Sequence, residues 1–134
     1  YNDTAITYPN VYRREMTGEN IKNILEDVAD NIFNPDPYLQ QGGDMVRTTG
    51  LSYEISPKNK MNNRITNIRT KDGKLLKNNK KYTVSGWASV NSIESGKPIW
   101  DITKEYLSDI KYYDLDKVKQ PRILQEDDNF GLET

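Results

Sequence analysis

The sequence predicts an α+β domain. An early segment spaces its apolar residues as a helix does, and later segments alternate apolar and polar residues as strands do, joined by hairpin-type turns. A second, shorter helical stripe follows the strands. This order lacks the strand–helix–strand alternation of a doubly wound parallel sheet, and α+β fits it better. At 134 residues the chain has the length of one domain on a scale of roughly 100–200 residues each.

Ile21, Ile24, Leu25, Val28 and Ile32 recur at spacings of three and four and predict a helix from Glu19 to Phe33. Lys22, Asn23, Glu26, Asp27 and Asp30 take the other, solvated face. Thr17 stands where a side-chain oxygen can satisfy free helix N–H groups, and Glu19 suits the positive end of the helix dipole. Pro35 and Pro37 end the helix, because the residue before a proline avoids the helical region. Tyr38 to Gly43 reads as a loop. Met45 to Ile55 and Arg64 to Thr70 read as strands, with Ser56 to Asn63 as the polar connection between them. Asp72-Gly73 marks a tight hairpin turn, and Tyr82 to Val90 predicts another strand. Asp101 is expected to cap a helix whose stripe is Ile102, Tyr106, Leu107 and Ile110. A short apolar patch at Ile123 and Leu124 precedes an acidic tail. The expected division is a domain over residues 1–124 and a frayed tail over 125–134.

Nineteen Lys and Arg against twenty Asp and Glu give a formal charge of −1. That balance disfavours nucleic acid or an anionic membrane as the main partner. The chain has neither histidine nor cysteine. Zinc sites, iron–sulfur clusters, thiol catalysis and histidine general-base chemistry therefore cannot come from these residues, whereas an oxygen-ligand calcium or magnesium site stays open. No apolar run reaches the length of about 20 residues that a membrane helix needs. The chain begins at Tyr1 with no charged segment leading into an apolar one, so any signal peptide is expected upstream, and the sequence reads as a piece of a longer protein.

The segment richest in chemical potential is Gln40-Gln41-Gly42-Gly43-Asp44-Met45-Val46-Arg47. Two glycines permit close backbone approach, and Arg47 can fork onto an oxyanion. The alternative is a glycine turn entering a strand, with Asp44 and Arg47 paired on the surface. It is not a phosphate-binding loop, since no Gly-Lys-Ser/Thr leads into a helix. Tyr12-Arg13-Arg14-Glu15 offers two guanidinium groups beside a ring; the simpler expectation is one pairing with Glu15 and the other solvated. Glu26-Asp27 and Asp30 are expected to be solvated acids, and the Lys77 to Lys81 cluster a solvated hairpin end. Trp87 and Trp100 are expected in the core, with functional weight kept for Trp87 because Gly86, Ser89 and Asn91 surround it. No complete catalytic constellation is present.

Several stretches together resemble a known family. Met16-Thr17-Gly18 leading into Ile24-Leu25-Glu26-Asp27-Val28-Ala29-Asp30-Asn31 is similar to the opening helix of the C-terminal domain of 5′-nucleotidase-family proteins. Gly43 to Tyr53, Arg64-Ile65, Asp72-Gly73 and Lys81-Tyr82-Thr83-Val84 follow in that domain's order. Within the family, Thr4 to Pro9, Phe33-Asn34-Pro35-Asp36-Pro37-Tyr38, Gln41 to Arg47 and Gly86-Trp87-Ala88-Ser89-Val90-Asn91 resemble the SoxB thiosulfohydrolases of sulfur oxidation. Pro98-Ile99-Trp100-Asp101 and Pro121-Arg122 extend the likeness. Nucleotidases of this family clamp a base between two phenylalanines, the second before a Gly-Gly-Asp-Gly loop. Here phenylalanine occurs only at Phe33 and Phe130, and the segment after Tyr82 contains no such loop. The platform for stacking a base is missing.

The resemblance implies a 5′-nucleotidase C-terminal-like substrate-binding domain, a mixed β-sheet with packed helices, inactive alone. It implies a companion N-terminal metallophosphatase-like domain holding a dinuclear metal centre, usually described with manganese, in a periplasmic enzyme. The implied reaction is hydrolysis of a cysteine S-thiosulfonate on the SoxY subunit of the SoxYZ carrier, releasing sulfate. Asp44 and Arg47 would contact the carrier arm or its terminal sulfonate, Gln41 would donate hydrogen bonds, and Gly42 and Gly43 would make room. Trp87 and Asn91 are second choices. No catalytic or metal-binding residue is expected in this chain. The alternatives are a nucleotide or sugar-nucleotide phosphohydrolase domain and a non-catalytic docking module.

Overall fold

The computed structural model describes residues 10–86, 96–112 and 121–124. Strand β1 (Tyr12–Thr17) leads into helix α1 (Gly18–Phe33), followed by β2 (Leu51–Ile55), β3 (Ile65–Thr70), β4 (Lys81–Gly86), helix α2 (Ile99–Ile110) and the short β5 (Arg122–Ile123). The chain forms two compact units. Among the described residues, the larger holds 17–80 and 121–124, and the smaller holds 10–16, 81–86 and 96–112. The element order bears out an α+β fold.

In the larger unit, Thr17 caps α1 as expected, its Oγ1 accepting from the Asn20 N–H at 3.2 Å. Two further N-terminal amides are satisfied by the turn before β4. The Gly18 N–H donates to the Lys80 carbonyl at 3.0 Å and the Glu19 N–H to the Asn78 carbonyl at 3.1 Å. This docking requires glycine at 18, because a Cβ there would lie 2.3 Å from the Lys77 carbonyl oxygen. The Lys77–Lys81 side chains are exposed, as the hairpin-end reading holds, but their backbone serves as the lid on α1.

The three-stranded sheet runs β3-β2-β5, with β2 antiparallel to β3 and parallel to β5. Ser52 pairs with Arg69 and Glu54 with Thr66, so two steps along β2 match three along β3. The extra β3 residue accommodates Asn67 at φ 49°, a left-handed conformation that asparagine tolerates better than most residues. Leu25 and Ala29 of α1 pack with Tyr53, Ile55, Ile65 and Ile68 as the core, joined at its margin by Ile21, Phe33, Met45, Leu51, Leu76 and Ile123. The Ile123–Leu124 patch is thus a parallel edge strand, with the Leu124 N–H donating to the Ile55 carbonyl at 2.7 Å. The Asp72-Gly73 turn forms as read, with Gly73 at φ 74°.

Several expectations need correction here. The strand expected from Met45 begins only at Leu51, because Gly50 at φ 79° breaks the extended run before it. Ile24, placed on the buried stripe of α1, is 42 % exposed, whereas Glu26, placed on the solvated face, is fully buried. In the smaller unit, α2 starts at Ile99 behind Pro98, so Asp101 lies in its first turn and makes no cap. Trp100, expected in the core, is 46 % exposed, and Tyr106 and Leu107 are exposed as well. The β4 strand forms over Lys81–Gly86 and pairs with β1; the stretch expected beyond it, to Val90, lies outside the described residues, as does the 125–134 tail.

Candidate functional site

The polar heart of the larger unit is a buried carboxylate and guanidinium, Glu26 from the face of α1 that spacing assigns to solvent and Arg64 from the residue just before β3. Glu26 Oε2 accepts from the backbone N–H of Asn62 at 2.9 Å and of Arg64 at 3.3 Å, and Oε1 accepts from the Ile65 N–H at 2.7 Å. One helical side chain thereby satisfies three amides where the connection enters β3, which explains how a fully buried acid is tolerated. The Arg64 side chain, 3 % exposed, then reaches back to α1. Its Nη1 donates to Asp30, its Nη2 to the Phe33 carbonyl at 3.2 Å, and its Nε to the Pro57 carbonyl at 3.3 Å. Asp30 also accepts from Asn34 Nδ2 at 2.8 Å. The hydrogen bonds from Arg64 and then Asn34 hold the Asp30 carboxyl below the ordinary aspartate value. Burial alone pushes the Tyr53 hydroxyl upward, and it meets no hydrogen-bond partner among the described residues.

From the end of α1 the chain folds back along the helix. Asp36 Oδ1 accepts from the Tyr38 N–H at 3.0 Å, closing the 3-10 turn at Pro37–Leu39. Gln40 Nε2 donates to the Asn34 carbonyl at 2.8 Å. The backbone N–H groups of Gln41 and Gly42 both donate to the Asn31 carbonyl, at 3.0 and 3.3 Å. The glycine segment is therefore moored to the last turns of α1, and the side chains from Gln41 to Asp44 and at Arg47 face solvent.

Five of the expected site residues, Gln41, Gly42, Gly43, Asp44 and Arg47, thus lie together on one exposed segment. Neither Asp44 nor Arg47 forms an ion pair among the described residues, so the surface pairing weighed for them does not occur there. Among the described residues, packing does not explain the glycines. Neither has a positive φ, a Cβ at 43 would meet nothing within 4 Å, and one at 42 would make only an ordinary contact 3.7 Å from Asn31 Cβ. Bare backbone is exposed on the same segment as a guanidinium and a side-chain amide, groups able to accept a close-lying chain and an anion. Trp87 and Asn91 lie outside the described residues.

The other candidates resolve differently. Arg14 stacks over the Tyr12 ring at 5.0 Å, and Glu15 pairs with Lys81 at 3.4 Å rather than with a neighbouring arginine. An open groove of about 650 Å³ runs along α2, lined by Ile99, Trp100, Thr103, Lys104, Leu107 and Ser108, and holds none of the expected site residues. Among the described residues, no three acids cluster as a metal site would require. Sequence reasoning missed Glu26 and Arg64. The available signal was weak: Glu26 directly follows a core leucine, and Arg64 directly precedes a core isoleucine.

The fold and this segment can be set beside known proteins. Residues 4–105 match the family model of the 5′-nucleotidase C-terminal domain. The structure superposes on the sulfate thiohydrolase SoxB of Thermus thermophilus, in complex with glycerol, with a TM-score of 0.80 and 29 % identity, covering 91 % of this chain and 24 % of that one. A Staphylococcus aureus protein described as a 5′-nucleotidase, in complex with alpha-ketoglutarate, superposes with a TM-score of 0.59 at 13 % identity, covering 85 % of this chain and 27 % of that one, a likeness of fold alone. No curated protein matches the sequence significantly. The chain spans about a quarter of the length of either structure. With the family model covering most of its residues, the chain belongs to the 5′-nucleotidase C-terminal domain family.

Proposed function

We propose that this chain is the substrate-facing C-terminal domain of a SoxB-like thiosulfohydrolase. The observation that carries the reading is the likeness to SoxB over 91 % of the chain at 29 % identity, against 13 % for the nucleotidase-like structure. The missing phenylalanine pair supports it, since only Phe33 and Phe130 occur and Phe33 is partly buried against the core. The reaction would be hydrolysis of a cysteine S-thiosulfonate carried by SoxY in SoxYZ, in the periplasm: water oxygen joins the sulfonate sulfur, the bond from that sulfur to the sulfane sulfur breaks, sulfate leaves, and the sulfane sulfur stays on the cysteine as a persulfide that takes a water proton. The donors in this chain do not suit a dinuclear manganese centre, because histidine is absent and no three acids cluster among the described residues. Such a centre, which would supply activated water, is assigned to a companion metallophosphatase-like domain.

In this reading the residues of the chain bind and orient. Arg47 presents a planar guanidinium that can donate two parallel hydrogen bonds to sulfonate oxygens. Gln41 adds a side-chain N–H donor. Gly42 and Gly43 let the carrier arm run close to the backbone. Asp44 would repel a sulfonate, and its carboxylate is better matched to backbone N–H groups of the arm.

The test uses the intact enzyme supplied with manganese, offered thiosulfonate-loaded SoxYZ and, separately, AMP. Sulfate release without phosphate release is expected; phosphate release at a comparable rate overturns the reading. In the same assay Arg47→Ala should lower kcat/KM by about tenfold or more, the cost of one charge-assisted hydrogen bond to an anion. Unchanged turnover would remove Arg47 from the site. Asp44→Lys separates this reading from a docking module, which would lose carrier binding with no change in the turnover of bound carrier.

A further inference from the structure

We propose that Arg64 is the positioning residue for the Gln41–Gly43 wall, acting through the last turns of α1; the inference rests on the substrate-facing reading of that wall. The segment touches no substrate through Arg64, which is buried. What Arg64 does is fix the frame from which the segment hangs.

Three observations make the connection continuous. First, the moorings identified for Gln40, Gln41 and Gly42 are on carbonyls at the end of α1, those of Asn34 and Asn31. A helix end is the part of a helix most prone to fray, because its final carbonyls lack intrahelical partners. Second, Arg64 holds that end from outside the helix, with Nη2 on the Phe33 carbonyl and Nη1 on Asp30. Asp30 in turn holds the side chain of Asn34, and the Asp30 carbonyl accepts from the Asn34 backbone N–H at 2.9 Å. Third, the guanidinium is itself anchored at its root. Glu26 accepts the backbone N–H groups on both sides of the Arg64 Cα, those of Arg64 and Ile65, and the Pro57 carbonyl takes Nε. All three groups of donors on the fork are occupied, each by an acceptor on a different residue. Lysine could supply the charge but not this geometry, since its ammonium is a single point at the end of a flexible stem.

The route from α1 to the wall is thus Arg64 to Asp30 and Phe33, then Asn34 and Asn31, then Gln40 through Gly42. Loosening the first link leaves the Asn31 carbonyl on a fraying turn. The amides it holds open more often, and the wall no longer waits in one position for the carrier arm.

The experiment is amide hydrogen exchange resolved at Gln41 and Gly42 in the intact protein, with kinetics on thiosulfonate-loaded SoxYZ. Arg64→Lys should raise exchange at these two amides by about tenfold while the β1–β4 amides keep their rates, since local openings need not involve the rest of the structure. KM should rise several-fold with kcat nearly unchanged, as expected when ground-state and transition-state binding weaken together. Asn34→Ala removes the Asn34–Asp30 link and the Oδ1 acceptor of the Asp36 N–H while keeping the Arg64–Asp30 pair, and it should raise exchange at the same amides if Arg64→Lys fails to fold. Unchanged exchange at Gln41 and Gly42 in a folded variant overturns the proposal. Faster exchange with unchanged KM would uphold Arg64 as the positioner and instead remove the wall from the substrate site.

Discussion

Helices α1 and α2 both carry an apolar stripe at helical spacing, and the two stripes have opposite fates. On α1, Leu25 and Ala29 are buried against β2 and β3, and even Glu26 is drawn inside with them. On α2 no residue is buried, and Trp100, Tyr106 and Leu107 stand near half exposure. Periodicity names the face of a helix that favours an apolar neighbour; it does not say whether the chain supplies that neighbour. The caps show the same contrast. α1 has a threonine side-chain cap and carbonyls from the 77–80 turn over its first amides, whereas α2 begins behind Pro98 with no side-chain cap and ends on Lys111 at φ 56°.

The sharpest way to break this comparison is to attack the buried acid. Glu26→Ala should cost about 3 kcal/mol or more, on a scale of roughly 1–3 kcal/mol for each buried donor left unmet, since three amides lose their acceptor. Glu26→Gln should cost less, because one oxygen still accepts while the new amide N–H confronts a backbone donor. Denaturant unfolding of the intact protein checks both, and a near-neutral Glu26→Ala would mean that those amides find water instead.

Next in size is a matched pair of truncations. Leu25→Ala should destabilise by about 2–5 kcal/mol through lost contacts and a cavity. Leu107→Ala, at a position 49 % exposed, should stay within about 0.5 kcal/mol. Equal losses in the intact protein would show that another part of it covers the α2 stripe.

Legibility in the sequence followed the same divide. The α1 boundaries, its Thr17 cap, the β3 strand and the Asp72-Gly73 turn were readable, because each depends on neighbours within a few residues. The cluster of Gln41, Gly42, Gly43, Asp44 and Arg47 on one surface was readable for the same reason: a contiguous segment needs no tertiary contact to stay together. The late start of β2 turned on Gly50, a residue that the alternating pattern of its neighbours overshadowed. Burial of Glu26 was not readable, because its partners lie 36 to 39 positions away and are backbone amides, which carry no residue signature. Arg64 was read as the first residue of a strand for its position, while its bonds to Asp30 and the Phe33 carbonyl depend on how that strand meets α1.

The finest difference between the two helices lies in their ion pairs and should appear at opposite ends of the pH scale. Asp30 has its carboxyl lowered from 3.8, chiefly by the Arg64 hydrogen bond. A lowered carboxyl contributes stability that is fully present above the unfolded-state value and is lost as pH falls below about 4 and through the folded-state value. Lys97 has its ammonium raised from 10.5 by its hydrogen bond with Glu105 on α2, at 2.8 Å. Its contribution is present below the ordinary lysine value and disappears only as pH rises beyond it. The two pairs also differ in exposure: Arg64 and Asp30 show 3 and 21 % of their side chains, Lys97 and Glu105 62 and 61 %. Solvent and salt screen the second pair far more than the first. Asp30→Asn should therefore flatten the acid limb of the stability curve, and 1 M salt, where the screening length is about 3 Å, should leave the wild-type limb in place. Glu105→Gln should leave unfolding unchanged at neutral pH. An acid limb that vanished in salt would mean that the Arg64–Asp30 contact opens to water, and the protection of the α1 end would then have to come from Glu26 and the Phe33 carbonyl alone.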